Sequence, residues 1–448
     1  MAREPAGSKV ECRRVRLRSR NLRLVIALLL CAGAWYWLRS VFIPSNTAQA
    51  HVTGRPIGNN SDLYPRWLGA RELLLYGRDP YSADVTRDIQ IGYYGRALDA
   101  NRPGDPTDQS GFAYPVYVVF LLAPTIQLKF AVVNRVGGWL LLALTALSVP
   151  LWLRTLKAET DVRTTLAVIL LAFGTYAAMQ GYYLRQFSLL VAFLLSASAA
   201  SVVAGRLLLA GVLLAIASIK PQLTIALVVW LLIWVLGDLH KRRRLAISFA
   251  ISTAALVIGG ELVLPGWISR FISAARAYEA YVGEQSVLES MMGPVLGGIV
   301  SAVVVLAVVF VCWRWRREAA GSPRFGFCVA AALAGELLVI PKLSHYNQLL
   351  LLPALIVLWR MWHQSEKRPL AARMFSRGVL VCLAWEWVAA VALAPVSLFV
   401  PVSRLYKIAG LPLYSSYAVL PLTVLALAAF ARTTGKEDRK EAAGAVTA

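Results

Sequence analysis

Twelve apolar blocks run through this chain, near 24–38, 134–153, 164–180, 189–204, 206–219, 222–236, 245–264, 293–313, 325–340, 346–362, 378–396 and 417–431, joined by connections that are mostly short. A segment can sit in hydrocarbon only if its own backbone N–H and C=O groups are satisfied, which for a chain of this pattern means a bundle of helices. The expected fold is an all-α polytopic membrane protein with about twelve transmembrane helices. Hydrophobic residues make up 58% of the 448 and charged residues only 16%, far from the usage of a soluble domain. The formal charge of +22 does not indicate nucleic acid, because Lys and Arg cluster in short runs beside apolar blocks, where they orient helices.

Residues 1–23 carry eight basic side chains against Glu4 and Glu11, and an apolar stretch follows. The pattern resembles a secretory signal, yet Trp35-Tyr36-Trp37-Leu38-Arg39 offers no small-residue cleavage site, so an uncleaved first span is expected. Residues 39–133 read as one long mixed-charge loop. The apolar run Pro115–Pro124 near its end is too short to span and reads as re-entrant or interfacial. On that assignment 29 of the 46 Lys and Arg fall inside and 17 outside, ten of the latter between Arg39 and Arg135. Both tails, 1–23 and 432–448, are then cytoplasmic, and 24–431 form a single transmembrane domain. The extracytoplasmic side gathers the 39–133 loop, 181–188, Lys220-Pro221-Gln222, 265–292, 341–348 and 397–416. Cys12, Cys31, Cys312, Cys328 and Cys382 lie in the tail or in apolar blocks, where they build neither a disulfide nor a metal site. No internal repeat is visible.

The stretch Ser61–Tyr81 concentrates the candidate chemistry. Ser61 or Asp62 is placed to cap a helix with Pro65 in its first turn, Leu63, Trp67, Ala70 and Leu74 on one apolar face, and Gly77 and Pro80 as stops. Asp62, held at a membrane surface on a helix, suits a general base; the alternative is that it only caps the helix. Asp79 reads as a turn residue before Pro80. Arg66 and Arg78 offer phosphate ligands, and Tyr64, Trp67 and Tyr114 offer rings for a sugar or lipid, although any interfacial segment carries such a mixture. Lys220 stands at a Pro-containing reversal between two short apolar runs, away from the cytoplasmic basic clusters. It either snorkels to headgroups or meets an anion. Arg185-Gln186-Phe187-Ser188 opens a span toward the same side, and His345 lies at the start of another; each is a candidate substrate contact or an interfacial anchor. No second His or Cys stands at metal spacing, so no metal and no cofactor are expected. Glu336 and Glu386 lie within spans, where an acid is either functional or buried against a polar partner.

Taken in order, several segments resemble glycosyltransferase family 87: the uncleaved first span, Ser61-Asp62-Leu63-Tyr64, Leu74–Tyr81, Phe112-Ala113-Tyr114-Pro115, Arg185-Gln186-Phe187-Ser188, Gly211 through Lys220-Pro221, and Ser344-His345-Tyr346 through Pro353. Val116 replaces the second Pro of the family's Tyr-Pro-Pro, and the Gln element keeps only Gln186. The resemblance implies a GT-C fold and a polyprenyl-phosphate-mannose-dependent mannosyltransferase with an Asp of the first outer loop as base, the position of Asp62. It also implies an inverting transfer, giving an α-linked product, to a lipid or glycan acceptor on the outer face of the bacterial inner (plasma) membrane. The donor phosphate is expected near Lys220, Arg66 and Arg78, and the substrates near Gln186, His345, Tyr64, Trp67 and Tyr114. The competing readings are a twelve-span secondary transporter, against which stand the missing repeat and the polar residues gathered at one face, and a lipid-carrier flippase.

Overall fold

A computed structural model describes residues 6–446 apart from 100, 103, 106–109, 159, 283–284, 342 and 365–368; Arg3 of the basic tail, Lys342, Lys367 and Arg368 lie outside the described residues. Among the described residues the regular elements are all helical. The apolar blocks fold as helices, 164–180 as parts of two, but the blocks are not equal crossings. Six segments are long and apolar enough to span alone: Arg20–Thr53, Phe130–Thr155, Leu239–Val263, Pro294–Arg314, Leu370–Phe399 and Leu411–Arg432. Val162–Phe173 and Tyr176–Tyr183 make a seventh if this pair, bent by 64°, is one span. Phe187–Val203, Leu207–Ala217 and Ile225–Leu236 have 17, 11 and 12 residues. At about 1.5 Å per residue all three fall short of a hydrocarbon core of about 30 Å. Their breaks bring polar backbone and side chains into the protein.

The first span runs further than its hydropathy suggests. Helix continues through a π-helical stretch, Leu38–Phe42, and on to Thr53, so the long loop begins at Gly54 and not at 39. Gly54, with φ 69°, ends the helix. Trp35 Nε1 donates to the Phe173 carbonyl (3.2 Å) and Trp37 Nε1 to that of Ala409 (3.0 Å). These bonds tie the first helix to the bent pair and to the last third of the chain.

Residues 115–125 form a five-residue helix, Val118–Leu122, and a three-residue turn, Ala123–Thr125, which do not cross a bilayer. Val116, Val118 and Val119 are fully buried. Tyr117 donates to the Ser218 carbonyl (2.8 Å), joining this segment to the reversal at Lys220. The expected helix over the Ser61–Tyr81 stretch is present as Leu63–Tyr76 and stops at Gly77, φ 65°. Of the expected face Leu63, Trp67 and Ala70 are buried, whereas Leu74 is half-buried and its neighbour Leu73 is buried. Trp67 Nε1 donates to Thr125 O (3.2 Å) and Arg71 Nη1 to Ile126 O (2.9 Å), so the helix lies along the 115–126 segment. Gly69 permits that approach: a Cβ there would stand 2.4 Å from the Phe112 ring.

Candidate active site

Asp62 immediately precedes Leu63–Tyr76, but its side chain makes no capping bond. The carboxylate turns away from the helix. Tyr93 Oη donates to Oδ1 at 3.1 Å, and the Gln186 amide nitrogen donates to Oδ2. The Asp62 backbone is fixed from both sides, its N–H donating to Leu184 O (3.0 Å) and its carbonyl accepting from the Arg66 guanidinium. Ser61 Oγ donates to Asn134 Oδ1 (2.8 Å), which anchors the turn to the helix Phe130–Thr155. Tyr93 arrives on a helix, Ala83–Tyr94, within the stretch expected to be loop. Its signals were present: Ser82 accepts from Val85 N–H at 3.3 Å, Val85 and Ile89 are buried four residues apart, and Gly95 (φ 78°) ends it.

Gln186 also reaches the other way. Its Oε1 accepts from Lys220 Nζ at 3.0 Å, and Lys220 donates again to Ser188 Oγ at 2.8 Å. Ser188 in turn donates to Asn347 Oδ1 at 2.8 Å. Asp62, Gln186, Lys220, Ser188 and Asn347 therefore form one hydrogen-bonded line, drawn from four separate parts of the chain. Lys220 and Gln186 are only 6% and 2% exposed. Lys220 does not snorkel, and its ammonium is held inside the protein.

These groups border a cavity of about 360 Å³ whose lining includes Asp62, Arg66, Tyr93, Tyr114, Gln186 and Lys220. Among the described residues the charged lining side chains are one carboxylate, Asp62, and two cations, Arg66 and Lys220. Burial pushes the Lys220 ammonium below the ordinary lysine range, against the opposing pull of Tyr114, and nearby Arg66 lowers it further. Burial also raises the Tyr93 and Tyr346 hydroxyls, which stay neutral. The Arg66 guanidinium lies 4.7 Å from the Tyr114 ring centroid, and Lys220 Nζ lies 5.0 Å from that of Tyr346. Ring faces ease the burial of cations without neutralising them. The cavity keeps a surplus positive charge beside a hydrogen-bonded carboxylate, a setting that suits an anionic ligand.

Not every residue picked from the sequence lies here. Arg78 is engaged elsewhere, with Nη1 2.7 Å from Glu72 Oε2 and Nη2 2.8 Å from Asp88 Oδ2. It braces the end of one surface helix against the next and does not line the cavity. Trp67 is core, and Tyr64 packs edge-on against Phe130 (4.9 Å between ring centroids) beside a separate cleft. Arg185, in the left-handed region at φ 54°, donates to Asn134 O (3.1 Å) and faces that cleft. His345 sits between the rings of Tyr176 and Tyr417 (5.3 and 4.9 Å), and burial lowers it to about 4, so it is neutral. Its neighbours Ser344, Tyr346 and Asn347 line the cavity; His345 does not. Glu336 accepts from Ala226 N–H (3.0 Å) and Glu386 from Tyr176 N–H. Each acid thus satisfies the start of a helix that begins inside the bundle. A further wall, Phe271, Ala275 and Tyr278, comes from the helix Trp267–Val282 within the expected 265–292 loop. The four- and seven-residue spacing of Trp267, Phe271, Ala274 and Tyr278 was its sequence signal.

Among the described residues no three His, Cys, Asp or Glu side chains converge as a metal site. In comparison with known proteins, the family model for glycosyltransferase family 87 matches residues 112–341, slightly more than half of the chain. No curated protein and no solved structure matches. The matched region contains Tyr114, Gln186 and Lys220; Asp62 and Arg66 stand before it.

Proposed function

Because the chain belongs to glycosyltransferase family 87, we propose that it transfers a sugar, mannose by the family resemblance, from a polyprenyl-phosphate donor to a hydroxyl of a lipid or glycan acceptor. The observation that carries this reading is the pairing of surplus positive charge with a carboxylate in one buried cavity, the two ends held by the single amide of Gln186. A lipid-linked monophosphate presents an anion next to an anomeric carbon, so it needs cations and a base within a few ångströms of each other.

In this mechanism the donor phosphate lies against Lys220 and Arg66, with Tyr114 beside the sugar. The acceptor oxygen attacks C1 as its proton passes to Asp62; the C1–O bond to phosphate breaks, the anomeric centre inverts, and the bonding pair leaves with the lipid phosphate. Phosphate is a competent leaving group once its charge is met, so one base and two cations suffice. Tyr93 and Gln186 hold the carboxylate oxygens in place, which is how positioning supplies rate. The distribution of basic residues among the connections supports a cavity on the extracytoplasmic side of a bacterial inner membrane, both termini inside, with 24–431 as one GT-C domain.

The test is transfer from synthetic polyprenyl-phosphate-mannose to candidate lipid and glycan acceptors by the purified protein and its Asp62→Asn variant. Transfer by the wild type alone, with donor binding retained in the variant, is expected. Equal turnover by both removes Asp62 as the base.

A further inference from the structure

A second chamber of about 430 Å³ adjoins the one just described, and the two share Gly111, Ala113 and Tyr278 in their linings. The helix Trp267–Val282 stands between them and serves both. Phe271, Ala275 and Tyr278 face the Asp62 cavity. Positions 269, 270, 273, 274, 277 and 278 border the second chamber, and their one-, four- and five-residue steps mark a continuous helical face. Four of these six are Ser or Ala, and their small size leaves the space open. The facing wall carries Thr86, Tyr81 and Asp79.

The chemistry of this wall differs from that of a lipid groove. Hydroxyls of Ser269, Ser273 and Thr86, two tyrosines and an ion pair line the space, Arg270 Nη1 lying in direct contact with Asp79 Oδ2 at 2.6 Å on its border. Asp79 Oδ1 meanwhile accepts from Tyr81 N–H at 2.9 Å, which fixes the turn that carries it. Carboxylates and guanidinium groups that bind in pairs, next to ring faces, match the alternating hydroxyls and C–H faces of a neutral carbohydrate. Ser269 Oγ and Tyr81 Oη already donate to the Gly266 and Tyr114 carbonyls, at 2.9 and 2.6 Å, and a wall this polar suits a ligand bearing hydroxyls better than an alkyl chain.

We propose that this chamber is the acceptor site and takes a neutral glycan, with its attacking hydroxyl reaching Asp62 past Gly111 and Ala113. The inference rests on the glycosyl-transfer reading above. Asp79 and Arg270 bind acceptor hydroxyls, and the Trp267–Val282 helix keeps donor and acceptor in adjoining compartments.

The experiment uses the full chain in nanodiscs with synthetic polyprenyl-phosphate-mannose as donor and, as acceptor probes, methyl α-D-mannoside and methyl β-D-glucoside. Donor Kd and probe KM are measured for the wild type, for Ser273→Trp, which fills the chamber, and for Asp79→Asn, which keeps the turn acceptor and breaks the charge pair. The expected result is a probe KM at least ten-fold higher in both variants, with donor Kd within two-fold of wild type. If Ser273→Trp also loses donor binding, Asp79→Asn decides by the same criterion. Unchanged probe KM with the chamber filled or the pair broken overturns the acceptor site and leaves the transferase reading intact. A wild type that binds donor but uses neither glycoside overturns a neutral-sugar chamber. A wild type that neither binds donor nor transfers sinks the transfer reading, and this proposal with it.

Discussion

Asp62 and Lys220 stand at opposite ends of one side-chain amide: Gln186 donates to the carboxylate and accepts from the ammonium, which lies 3.0 Å from its Oε1. A carboxylate and an ammonium in direct contact would neutralise each other, leaving little base strength and little pull on an anion. The interposed amide satisfies both while leaving each its charge. It also fixes the sense of the amide, because only one flip gives both hydrogen bonds.

Gln186→Leu removes both bonds at once, and kcat/KM for transfer is expected to fall about 100-fold, the loss typical of a displaced catalytic group. Gln186→Glu keeps the size but sets a carboxylate against Asp62 and beside Lys220, so donor affinity falls as well. Steady-state kinetics with a donor titration separates the two. Wild-type kinetics in Gln186→Leu would remove the amide from the mechanism.

Donor binding carries a pH signature from Lys220. Burial lowers its ammonium below the ordinary lysine range, and a phosphate ligand prefers it charged. Affinity is therefore full at low pH and declines as pH rises through the lowered value, at a lower pH than an exposed lysine would give. Lys220→Gln flattens the profile and weakens binding by roughly 10- to 100-fold, the loss of a charge-assisted hydrogen bond of about 1.5–3 kcal/mol. Isothermal titration of a polyprenyl-phosphate analogue between pH 6 and 10 checks both; identical profiles for the two proteins would place the phosphate elsewhere.

Lys220 and Gln186 are legible because a polar group set beside apolar runs is costly, and that cost is a local property; Asp62 and Tyr114 lie in a mixed-charge loop and are legible from helix punctuation and the family resemblance. Lateral partners are not local. Arg66 and Arg78 belong to one loop and one residue type, yet Arg66 lines the cavity while Arg78 pairs with Glu72 and Asp88. No spacing rule distinguishes them, since Asp88 approaches only after the chain reverses at Pro80. Hydropathy likewise located all twelve apolar blocks but could not tell a full crossing from the 11-residue helix Leu207–Ala217. Chain reversals inside the protein keep an apolar composition because other helices, not water, surround them. The helix that carries Tyr93 is hidden for the opposite reason: it is short, amphipathic and half polar, so hydropathy merges it with loop.

Glu336 and Glu386 are expected to serve stability. Each accepts a backbone N–H at the first turn of a helix that starts inside the bundle, Ala226 and Tyr176 respectively. Replacing Glu386 by Leu orphans that N–H at a cost of about 1–3 kcal/mol, whereas Gln retains an acceptor. A lowered melting temperature for Glu386→Leu, near-wild-type melting for Glu386→Gln, and donor Kd preserved in both are expected by thermal-shift chromatography. Loss of transfer in Glu386→Gln at unchanged stability would give the acid a chemical role.

His345 is expected to be dispensable for transfer and to mark the acid limit of stability. Its folded value is lowered to about 4 by burial from the usual 6.5. The unfolded chain therefore binds a proton as pH falls through about 6.5 while the folded one resists until about 4. The associated stability is present above 6.5 and is lost between these values. His345→Phe, which keeps a ring between Tyr176 and Tyr417, should retain transfer within about three-fold and lose less melting temperature than wild type between pH 7 and 4.5. A ten-fold loss of transfer would return His345 to the site.

Gly211 shows how the bundle sets the position of Lys220. A Cβ at this position would lie 2.0 Å from Ser248 Oγ, 2.6 Å from Leu245 O and 2.7 Å from Phe249 N, all on the helix Leu239–Val263. Ser248 Oγ reaches back to Leu208 O at 2.9 Å, so the two helices meet at their backbones, as small residues permit between helices in a membrane. Leu207–Ala217 ends just before Lys220, and any separation of this pair tilts the reversal that carries the ammonium. Gly211→Ala is expected to cost about 1–3 kcal/mol and to weaken donor binding as well, a combination that a remote packing defect would not produce. Adding Ser248→Gly removes the nearest clash but not the Leu245 carbonyl, so rescue is partial. Gly410→Ala, where a Cβ meets nothing within 4 Å and φ is −84°, is the neutral control. Thermal shift and donor titration on the four proteins read the result. If Gly211→Ala melts and binds like Gly410→Ala, helix contact does not set the lysine's place, and the hydrogen bonds of Tyr117, Gln186, Ser188 and Thr224 hold the reversal instead.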